Sequence, residues 1–378
     1  MISSAVRRVR VWAQGSPFRV MRSGLSTHTA PTADLSGLFS VNAVAESTKI
    51  DLFNPSEEHK SLREMLRTFV EAEVDPQALE FNRKEQFNVP LFKHLGQLGL
   101  LGITVDPEYG GSGMDATAAV IAHGEPDIFV YLALRTLSCE SALLFCWTSE
   151  ELSSADPAFC LSYLAHSMLF VNNLAQNGSH ELKEKYLPRA CSAELIGGMG
   201  MSEPGAGTDV LGMSTTATPS ADKSYYTLNG SKMWITNGTI DGTSTGDVFL
   251  VYAKTGAEAR TGLTSFVVEK GMPGFSLGQK IEDKCGMRAS MTAELVFEDV
   301  KVPAENIVGK LGEATLCMMR NLEIERITLA AMSLGIARRC IEVMSRYAQE
   351  RKAFGRPIGD FGQVVLNHAS ASSDRFQS

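Results

Sequence analysis

The chain has 378 residues, of which 44% are hydrophobic and 21% charged, so it is a globular protein with room for two or three domains. Its formal net charge is −8, and it becomes −13 without the five arginines of the first 33 residues, which excludes nucleic-acid binding over most of the surface. Seven cysteines without CxxC or similar spacing indicate neither a disulfide framework nor a metal site.

Residues 1–33 are rich in arginine and serine and contain no acidic residue. This composition is typical of a mitochondrial transit peptide and predicts a protein of the mitochondrial matrix. A disordered basic arm that binds nucleic acid is the alternative that the composition leaves open. Residues 34–48 are small and polar and are interpreted as a linker.

Helical patterns begin at Ser56, a good N-cap that precedes two glutamates. Apolar residues then recur at helical spacing over 62–70, and Asp75-Pro76 predicts the end of this helix. A second helix is predicted from Asn88, with three residues turned inward: Leu91, Leu95 and Leu98. A rigid glycine-rich turn follows at 107–113, and a further helix is predicted over 162–176.

A glycine-rich turn, Met199–Asp209, reads MGMSEPGAGTD. Its glycines let the backbone turn sharply and approach a planar ligand closely, while Ser202 and Thr208 add hydroxyls. Taken alone, such a turn is more often a plain structural loop. Downstream, the sequences YYTL, NG and KMWIT within 225–236 predict a β-hairpin. Further short strands are predicted at 248–253, 263–268 and 295–297.

Helical patterns return after Gly312. On a helix, Glu323 and Glu325 point about 200° apart, so only one of them can face a pocket. A second helix is predicted to hold Glu350–Gly355, and the last ten residues are interpreted as a disordered tail.

The turn and the strand that contains Trp-Ile-Thr-Asn-Gly resemble the paired flavin-binding signatures of the acyl-CoA dehydrogenase family, and the resemblance runs from about Ile50 to Gln363. It implies that FAD is the cofactor and that the two segments enclose it. It also implies that Arg351, Phe354 and Gln363 hold the FAD pyrophosphate of a neighbouring subunit. The implied cofactor-binding residues are Met199, Gly200, Met201, Ser202, Gly207, Thr208, Trp234, Ile235, Thr236, Arg351, Phe354 and Gln363.

The implied reaction removes a proton next to a thioester and passes a hydride to flavin N5, and electron-transferring flavoprotein then accepts the electrons. Most of the family carries the catalytic base near the C-terminus, whereas isovaleryl-CoA and long-chain members carry it in a Leu-x-x-Glu-Arg run on a helix. Glu325 matches this run and is predicted to be the base, while a surface Glu–Arg pair is the alternative. The implied substrate is a short branched acyl-CoA of leucine catabolism, contacted by Thr208, Glu323, Ile324 and Arg326.

The resemblance implies a multidomain α+β fold. Its parts are an N-terminal helical domain (49–196), a small antiparallel β-domain (197–303) and a C-terminal helical bundle (304–378) that is incomplete here. Residues 126–149 interrupt the family pattern with an apolar insertion, and deleting them is predicted to improve solubility. A membrane span is the less favoured alternative, because Arg135 and Glu140 lie in the middle of the segment.

The C-terminal region is the second departure, since it carries only two helices of the family's bundle. Two functions are therefore considered. One is an active FAD-dependent acyl-CoA dehydrogenase, of the isovaleryl-CoA type or for another chain length. The other is a truncated, inactive paralogue that at most binds partners. Because helices that pair the subunits in the family are missing, this chain is also expected to bind FAD weakly and to lack the defined homotetramer of the family.

Overall fold

The computed structural model describes residues 57–113, 140–256 and 262–364. The predictions of a transit peptide, a linker and a disordered tail lie outside the described residues, as does the part of the insertion before Glu140. Within the described ranges, helices occupy the first part, a sheet the middle, and one long helix the last part. This is the predicted fold class, with its N-terminal helical, central β and C-terminal helical regions.

The N-terminal region is a set of helices whose buried apolar side chains divide between two clusters. Its elements are α1 (Glu57–Phe69), a π-helical turn (Val70–Val74), α2 (Asp75–Lys84), α3 (Val89–Gln97), α4 (Glu140–Ala155), α5 (Pro157–Leu164), a π-helical segment (Ala165–Asn172), α6 (Asn173–Asn177) and α7 (His180–Cys191). Fully buried side chains such as Leu66, Phe92, Leu95, Phe159 and Tyr163 fill the core. Short 3₁₀ turns lie at Leu100–Gly102, Pro107–Tyr109, Val210–Gly212, Ala304–Asn306 and Ile358–Asp360.

Two helix predictions in this region are wrong in detail. The first helix does not end at Asp75-Pro76 but continues through the π-helical turn into α2. The π-helical turn directly before Pro76 changes the backbone hydrogen-bond pattern, with the Asp75 N–H donating to the Val70 carbonyl, and this local change accommodates a proline within the helical run. Asn88 does cap α3, since its side chain accepts a hydrogen bond from the Leu91 N–H at 3.2 Å. Leu98, however, is 37% exposed rather than buried, because α3 ends one residue before it.

The run Pro157–Asn177 is long and apolar enough to cross a membrane by length and composition alone. However, 83% of its most apolar stretch is buried inside the protein. Its apolar side chains are therefore already covered by neighbouring helices, as in the central helix of a globular core.

The middle region is a sheet of eight strands among the described residues: β1 (Gly197–Gly200), β2 (Thr216–Pro219), β3 (Tyr225–Thr236), β4 (Val248–Lys254), β5 (Leu263–Glu269), β6 (Phe275–Ile281), β7 (Thr292–Pro303) and β8 (Ile307–Val308). Its path runs β6-β7-β3-β2-β4-β5-β8, with β1 paired to β4. Most pairings are antiparallel, and β1 and β2 each pair in parallel with β4. The sheet extends to Val308, beyond the predicted domain end at 303.

The hairpin predicted within 225–236 is wrong, because this segment is one continuous strand, β3. The strand pairs with β7 on both sides of Asn229-Gly230, and the register shifts between Leu228 and Gly230. Gly230 has φ +143°, and a Cβ at this position would lie 2.6 Å from the Thr215 Oγ1. The Asn-Gly pair therefore forms a bulge that bends one strand, rather than a turn that joins two.

The last region is dominated by α8 (Ala314–Glu350), a helix of 37 residues. Ion pairs join it to α4: the half-buried Arg338 binds Glu151 at 2.6 Å and Glu150 at 2.7 Å, and Arg63 of α1 binds the same Glu150 at 2.6 Å. Breaking such a largely buried pair is costly, so the network holds α8 in place along α4, which is itself tied to α1.

The second helix predicted to hold Glu350–Gly355 is not present. Helix α8 ends at Glu350, and the backbone of Arg351 is extended rather than helical. A small hairpin follows, with β9 (Lys352–Ala353) paired to β10 (Arg356–Pro357). Phe354 and Gly355 form its turn with φ values of 52° and 79°, and this left-handed conformation is incompatible with a continuing helix.

The predicted insertion overlaps α4, which begins at Glu140. Thr148 and Ser149 of α4 are buried, so the expectation that residues up to 149 lack a place in the core is wrong for these two. A deletion of 126–149 would therefore also remove ten residues of α4.

Candidate active site

The two glycine- and tryptophan-containing segments lie side by side. The Met233 N–H donates to the Ser202 carbonyl at 2.9 Å, and the Lys232 Nζ donates to the Met201 carbonyl at 3.2 Å. A Cβ on Gly198 would lie 2.6 Å from the Thr236 carbonyl oxygen, so only a glycine permits this approach. The turn after β1 and the end of β3 thus form the two sides of one site.

One face of the turn is open. A Cβ added at Gly205 or Gly207 would meet no atom within 4 Å, and Thr208 is exposed. Met199, Met201, Ser202 and Thr236 are half-buried, whereas Gly200 and Ile235 are buried. The exposed and half-buried residues of the predicted cofactor site can therefore contact a ligand directly, whereas the buried Gly200 and Ile235 support them from within the protein.

Trp234 stands out on the other side of the site. It is 53% exposed and has φ +61°, a conformation that is an outlier for a bulky residue. The register of β3 shifts between Lys232 and Ile235, and such a bulge changes the direction in which a side chain points. An exposed flat apolar side chain beside hydroxyl groups fits a planar, partly polar ring such as that of FAD.

A buried ion pair beneath the turn was missed by the sequence analysis. Lys232 Nζ lies 2.8 Å from Glu203 Oε1, and the two side chains are 0% and 2% exposed. Glu203 also accepts four hydrogen bonds from the N–H and hydroxyl groups of Ser214 and Thr215. Burial alone would raise the pKa of Glu203, but Lys232 and these donors lower it to about 2. The sequence around Lys232 does not show that this lysine is buried rather than solvated, because the bulge alters the alternation of inward-facing and outward-facing side chains along β3.

Glu325 lies on the face of α8 that contacts the rest of the protein. It is half-buried, and its Oε2 atom is buried without a hydrogen-bond partner among the described residues. Burial raises the pKa of Glu325, and the nearby charge of Arg326 lowers it by less. Glu323 is exposed, as expected from the angle between the two residues on a helix.

The surroundings of Glu325 connect it to the turn. Leu322 lies three residues before Glu325 on α8 and packs in the same apolar cluster as Met199 and Met201 of the turn. Tyr252 of β4 belongs to this cluster too, and burial, together with the charges of Cys317 and Glu325, raises its pKa. The helix, the turn and β4 therefore enclose a common interior beside Glu325.

Two polar residues of this interior were not predicted. Asn321 is 5% exposed and lies one helical turn before Glu325, and its Nδ2 has no partner among the described residues. The Tyr252 hydroxyl accepts a hydrogen bond from Asn173 Nδ2 at 3.3 Å. Asn321 lies on α8 and Tyr252 on β4, so no spacing in the sequence links them.

The predicted substrate contacts differ in exposure. Thr208, Glu323 and Arg326 are exposed. Ile324 is half-buried and packs against the apolar core of the N-terminal helices. All four remain predictions.

Arg351, Phe354 and Gln363 lie far from this site. Arg351 is 26 residues beyond Glu325, at the end of α8, which is about 40 Å at the rise of an α-helix. All three are exposed, and Phe354 is 96% exposed. They are not brought together with the turn of their own chain, so a role in binding FAD requires the turn of a second subunit.

Among the described residues, no group of three or more His, Cys, Asp or Glu side chains is placed to hold a metal ion.

Family models match three consecutive parts of the chain. The N-terminal domain of acyl-CoA dehydrogenase matches residues 56–126 and 138–194, the middle domain 198–300, and the C-terminal domain 315–374. Together these matches cover the helical region, the sheet and α8.

Individual proteins agree with the family models. The chain is 40% identical to the mitochondrial isovaleryl-CoA dehydrogenase of Solanum tuberosum over 84% of its own length and 70% of that protein's. It is 42% identical to the Pongo abelii enzyme of the same name, over 81% of this chain and 66% of that protein. The chain therefore spans about two thirds of the length of these relatives.

Solved structures show the same fold. A chain in the structure of the electron-transferring flavoprotein of Acidaminococcus fermentans is 33% identical, with a TM-score of 0.75, over 86% of this chain and 77% of that one. The FAD complex of PigA is 27% identical, with a TM-score of 0.73, over 85% and 76%. On its sequence motifs, its fold and these relatives, the chain belongs to the acyl-CoA dehydrogenase family of oxidoreductases.

Proposed function

We propose that this protein is an FAD-dependent dehydrogenase of a short branched-chain acyl-CoA, of the isovaleryl-CoA type. The observation that carries the proposal is the buried carboxylate oxygen of Glu325, which has no hydrogen-bond partner among the described residues and lies on the helix whose Leu322 packs with the flavin-type turn. The identity of 40% to isovaleryl-CoA dehydrogenases supports the choice of substrate class.

Glu325 acts as the general base in this proposal. The proton next to a thioester carbonyl is weakly acidic, so the base must be both close and poorly solvated. Burial raises the pKa of Glu325, which makes its carboxylate a stronger base than a solvated glutamate. In the reaction, Glu325 takes the proton from the α-carbon, and the β-carbon loses a hydride, so that a carbon–carbon double bond forms.

Bound FAD would supply the acceptor for that hydride. The residues that would hold it are those of the open turn, from Met199 to Thr208, together with Trp234 and Thr236. Thr208, Glu323, Ile324 and Arg326 would contact the acyl-CoA. The exposed positions of Arg351, Phe354 and Gln363 suit contact with the FAD of a second subunit, which requires at least a dimer.

Electron-transferring flavoprotein is the proposed electron acceptor, and the mitochondrial matrix the proposed location. Both follow from the family and from mitochondrial relatives.

The test is anaerobic addition of isovaleryl-CoA to the purified protein. Absorbance of bound flavin should bleach within the time of mixing, and butyryl-CoA should act more slowly. A coloured protein that butyryl-CoA bleaches faster would assign another chain length. A protein that stays colourless when FAD is added would instead support the inactive paralogue.

Trp234→Phe gives a separate test of the cofactor site, independent of turnover. Since Trp234 is exposed beside the turn, we expect bound FAD to quench most of its fluorescence. In the Phe variant, the FAD-dependent loss of tryptophan emission should largely disappear, while an aromatic face remains to contact the ring. The measurement is a fluorescence titration with FAD. Equal quenching in both proteins would place the flavin away from Trp234.

A further inference from the structure

Gly197, the first residue of β1, is held from two sides, by His166 of the N-terminal helices and by Asn237, the asparagine of the Trp-Ile-Thr-Asn-Gly segment. Its N–H donates to His166 Nδ1 at 3.0 Å, and its carbonyl accepts from Asn237 Nδ2 at 3.0 Å. A Cβ at this position would lie 2.6 Å from the Val248 carbonyl oxygen. Gly197 therefore has little freedom to move, and two residues later the chain reaches Met199.

His166 belongs to the N-terminal helices and is fully buried. It lies in the π-helical segment Ala165–Asn172, and such segments are frequent at functional sites. Since Nδ1 accepts from Gly197, the other nitrogen carries the proton, and Nε2 donates to the Ala190 carbonyl at 3.0 Å. Burial lowers the pKa of His166 to about 4, which is consistent with the neutral form that this bonding requires.

Asn237 connects a third element. It follows Thr236 at the end of β3, is fully buried, and has φ +60°, which asparagine tolerates better than most residues. The same Nδ2 group that binds Gly197 also donates to the Ser162 carbonyl at 3.0 Å. One amide thus joins α5, β1 and the end of β3.

We propose that His166 and Asn237 are positioning residues for the cofactor site. By hydrogen-bonding the backbone of Gly197 from both sides, they hold the turn and the strand that carries Trp234 at a fixed separation. The inference rests on the proposed FAD site. Both flavin segments leave this point: the turn begins two residues after Gly197, and Trp234 lies three residues before Asn237. The N-terminal helices therefore fix the distance between the two flavin-binding segments, although none of their residues is among the proposed FAD contacts.

The test compares His166→Leu with His166→Gln by titrating the apo-protein with FAD. Leucine leaves the buried Gly197 N–H unpaired, and we expect its Kd for FAD to rise by about 10-fold or more. Glutamine offers an oxygen to Gly197 and an N–H to Ala190, so its Kd should stay within about 3-fold of the parent. His180→Leu is the matched control, because His180 has a side chain that is 56% exposed, and it should bind FAD like the parent.

Asn237→Ala should weaken FAD binding as well. Its effect should be less than additive with that of His166→Leu, since both residues act on Gly197. Hydrogen exchange of the apo-proteins gives a readout without cofactor: amides of residues 197–202 should exchange faster in both variants, and those of β5 should not.

Four results would overturn the proposal. Two concern the Kd for FAD: a parent-like Kd in folded His166→Leu and Asn237→Ala, or a Kd of His166→Gln as high as that of His166→Leu. The third is unchanged amide exchange at 197–202. The fourth is complete unfolding of both His166→Leu and Asn237→Ala, which would make the residues determinants of the fold. If the parent itself binds no FAD, the proposed function fails, while the exchange experiment still tests the grip on Gly197.

Discussion

Glu325→Gln will retain bound FAD and lose reduction of the flavin by acyl-CoA, by about 10²–10⁴-fold if Glu325 is the only general base. Glutamine has nearly the same shape but cannot accept the α-proton. The measurement is rapid mixing of the FAD-loaded protein with isovaleryl-CoA under anaerobic conditions, with absorbance followed over time.

Glu323→Gln is the control for this change. It removes the carboxylate of a proposed substrate contact on the same helix, but Glu323 is exposed and points away from Glu325, so the change tests binding without removing the proposed base. We expect reduction rates close to those of the parent, apart from a modest rise in the substrate concentration needed. Similar rates in parent and Glu325→Gln would show that another group takes the proton.

The pH profile adds a second readout of the same residue. Only ionised Glu325 can accept a proton, so kcat/KM should fall as pH drops through its raised pKa, which lies above the ordinary 4.5. Arg326 opposes the effect of burial, so Arg326→Gln should move this limb of the profile to still higher pH. A limb that is unaffected by Arg326→Gln would argue that a different group titrates.

The raised pKa also has a consequence for stability. As pH rises above 4.5, the unfolded chain loses this proton before the folded protein does, so ionising Glu325 destabilises the fold. Glu325→Gln should therefore be at least as stable as the parent near neutral pH, even though it is inactive. A clear drop in its melting temperature would contradict this account of a functional carboxylate kept at a cost in stability.

Lys232→Met will unfold more easily and bind FAD poorly. The change removes the positive charge beside Glu203 and the hydrogen bond to the Met201 carbonyl. A buried carboxylate is left without its partner, and breaking a buried pair in this way costs about 3–5 kcal/mol. The measurements are thermal unfolding of the apo-protein and titration with FAD.

Acid should act on the same pair. The pKa of Glu203, about 2, lies below the ordinary 4.5, so the stability from this group is present above pH 4.5 and is lost as pH falls towards 2. Without Lys232 the pKa of Glu203 rises, and acid-induced loss of stability should begin at higher pH than in the parent. An unchanged acid profile would indicate that Lys232 does not stabilise the carboxylate.

Two further variants complete the comparison. Lys84→Met removes an exposed pair with Glu80 and should change neither stability nor FAD binding measurably. Adding Glu203→Gln to Lys232→Met should recover part of the lost stability, because an amide can remain buried without a countercharge. A double variant less stable than Lys232→Met would contradict the ion-pair explanation.

The sequence alone was sufficient for the features that depend on local pattern. Helical geometry separates Glu323 from Glu325 without any structure, since residues two apart on a helix cannot share a face. The apolar runs at 248–253 and 263–268 became β4 and β5, because a strand buried on both faces is a nearly continuous apolar run. The motif that contains Met199–Thr208 likewise pointed to the family without the fold.

Tertiary pairing decided the features where a local signal has two solutions. Asn229-Gly230 suits a hairpin turn or a bulge, and only the partner strand β7, which continues past it, selects the bulge. Pro76 suits a helix end or a helix with a local change of hydrogen bonding, and the π-helical turn directly before it provides the second. The placement of Lys232, His166 and Asn237 was beyond local pattern altogether, because their partners Glu203 and Gly197 lie 29 to 40 residues away in the chain. A buried polar group is defined by what surrounds it, and those neighbours come together only when the chain folds.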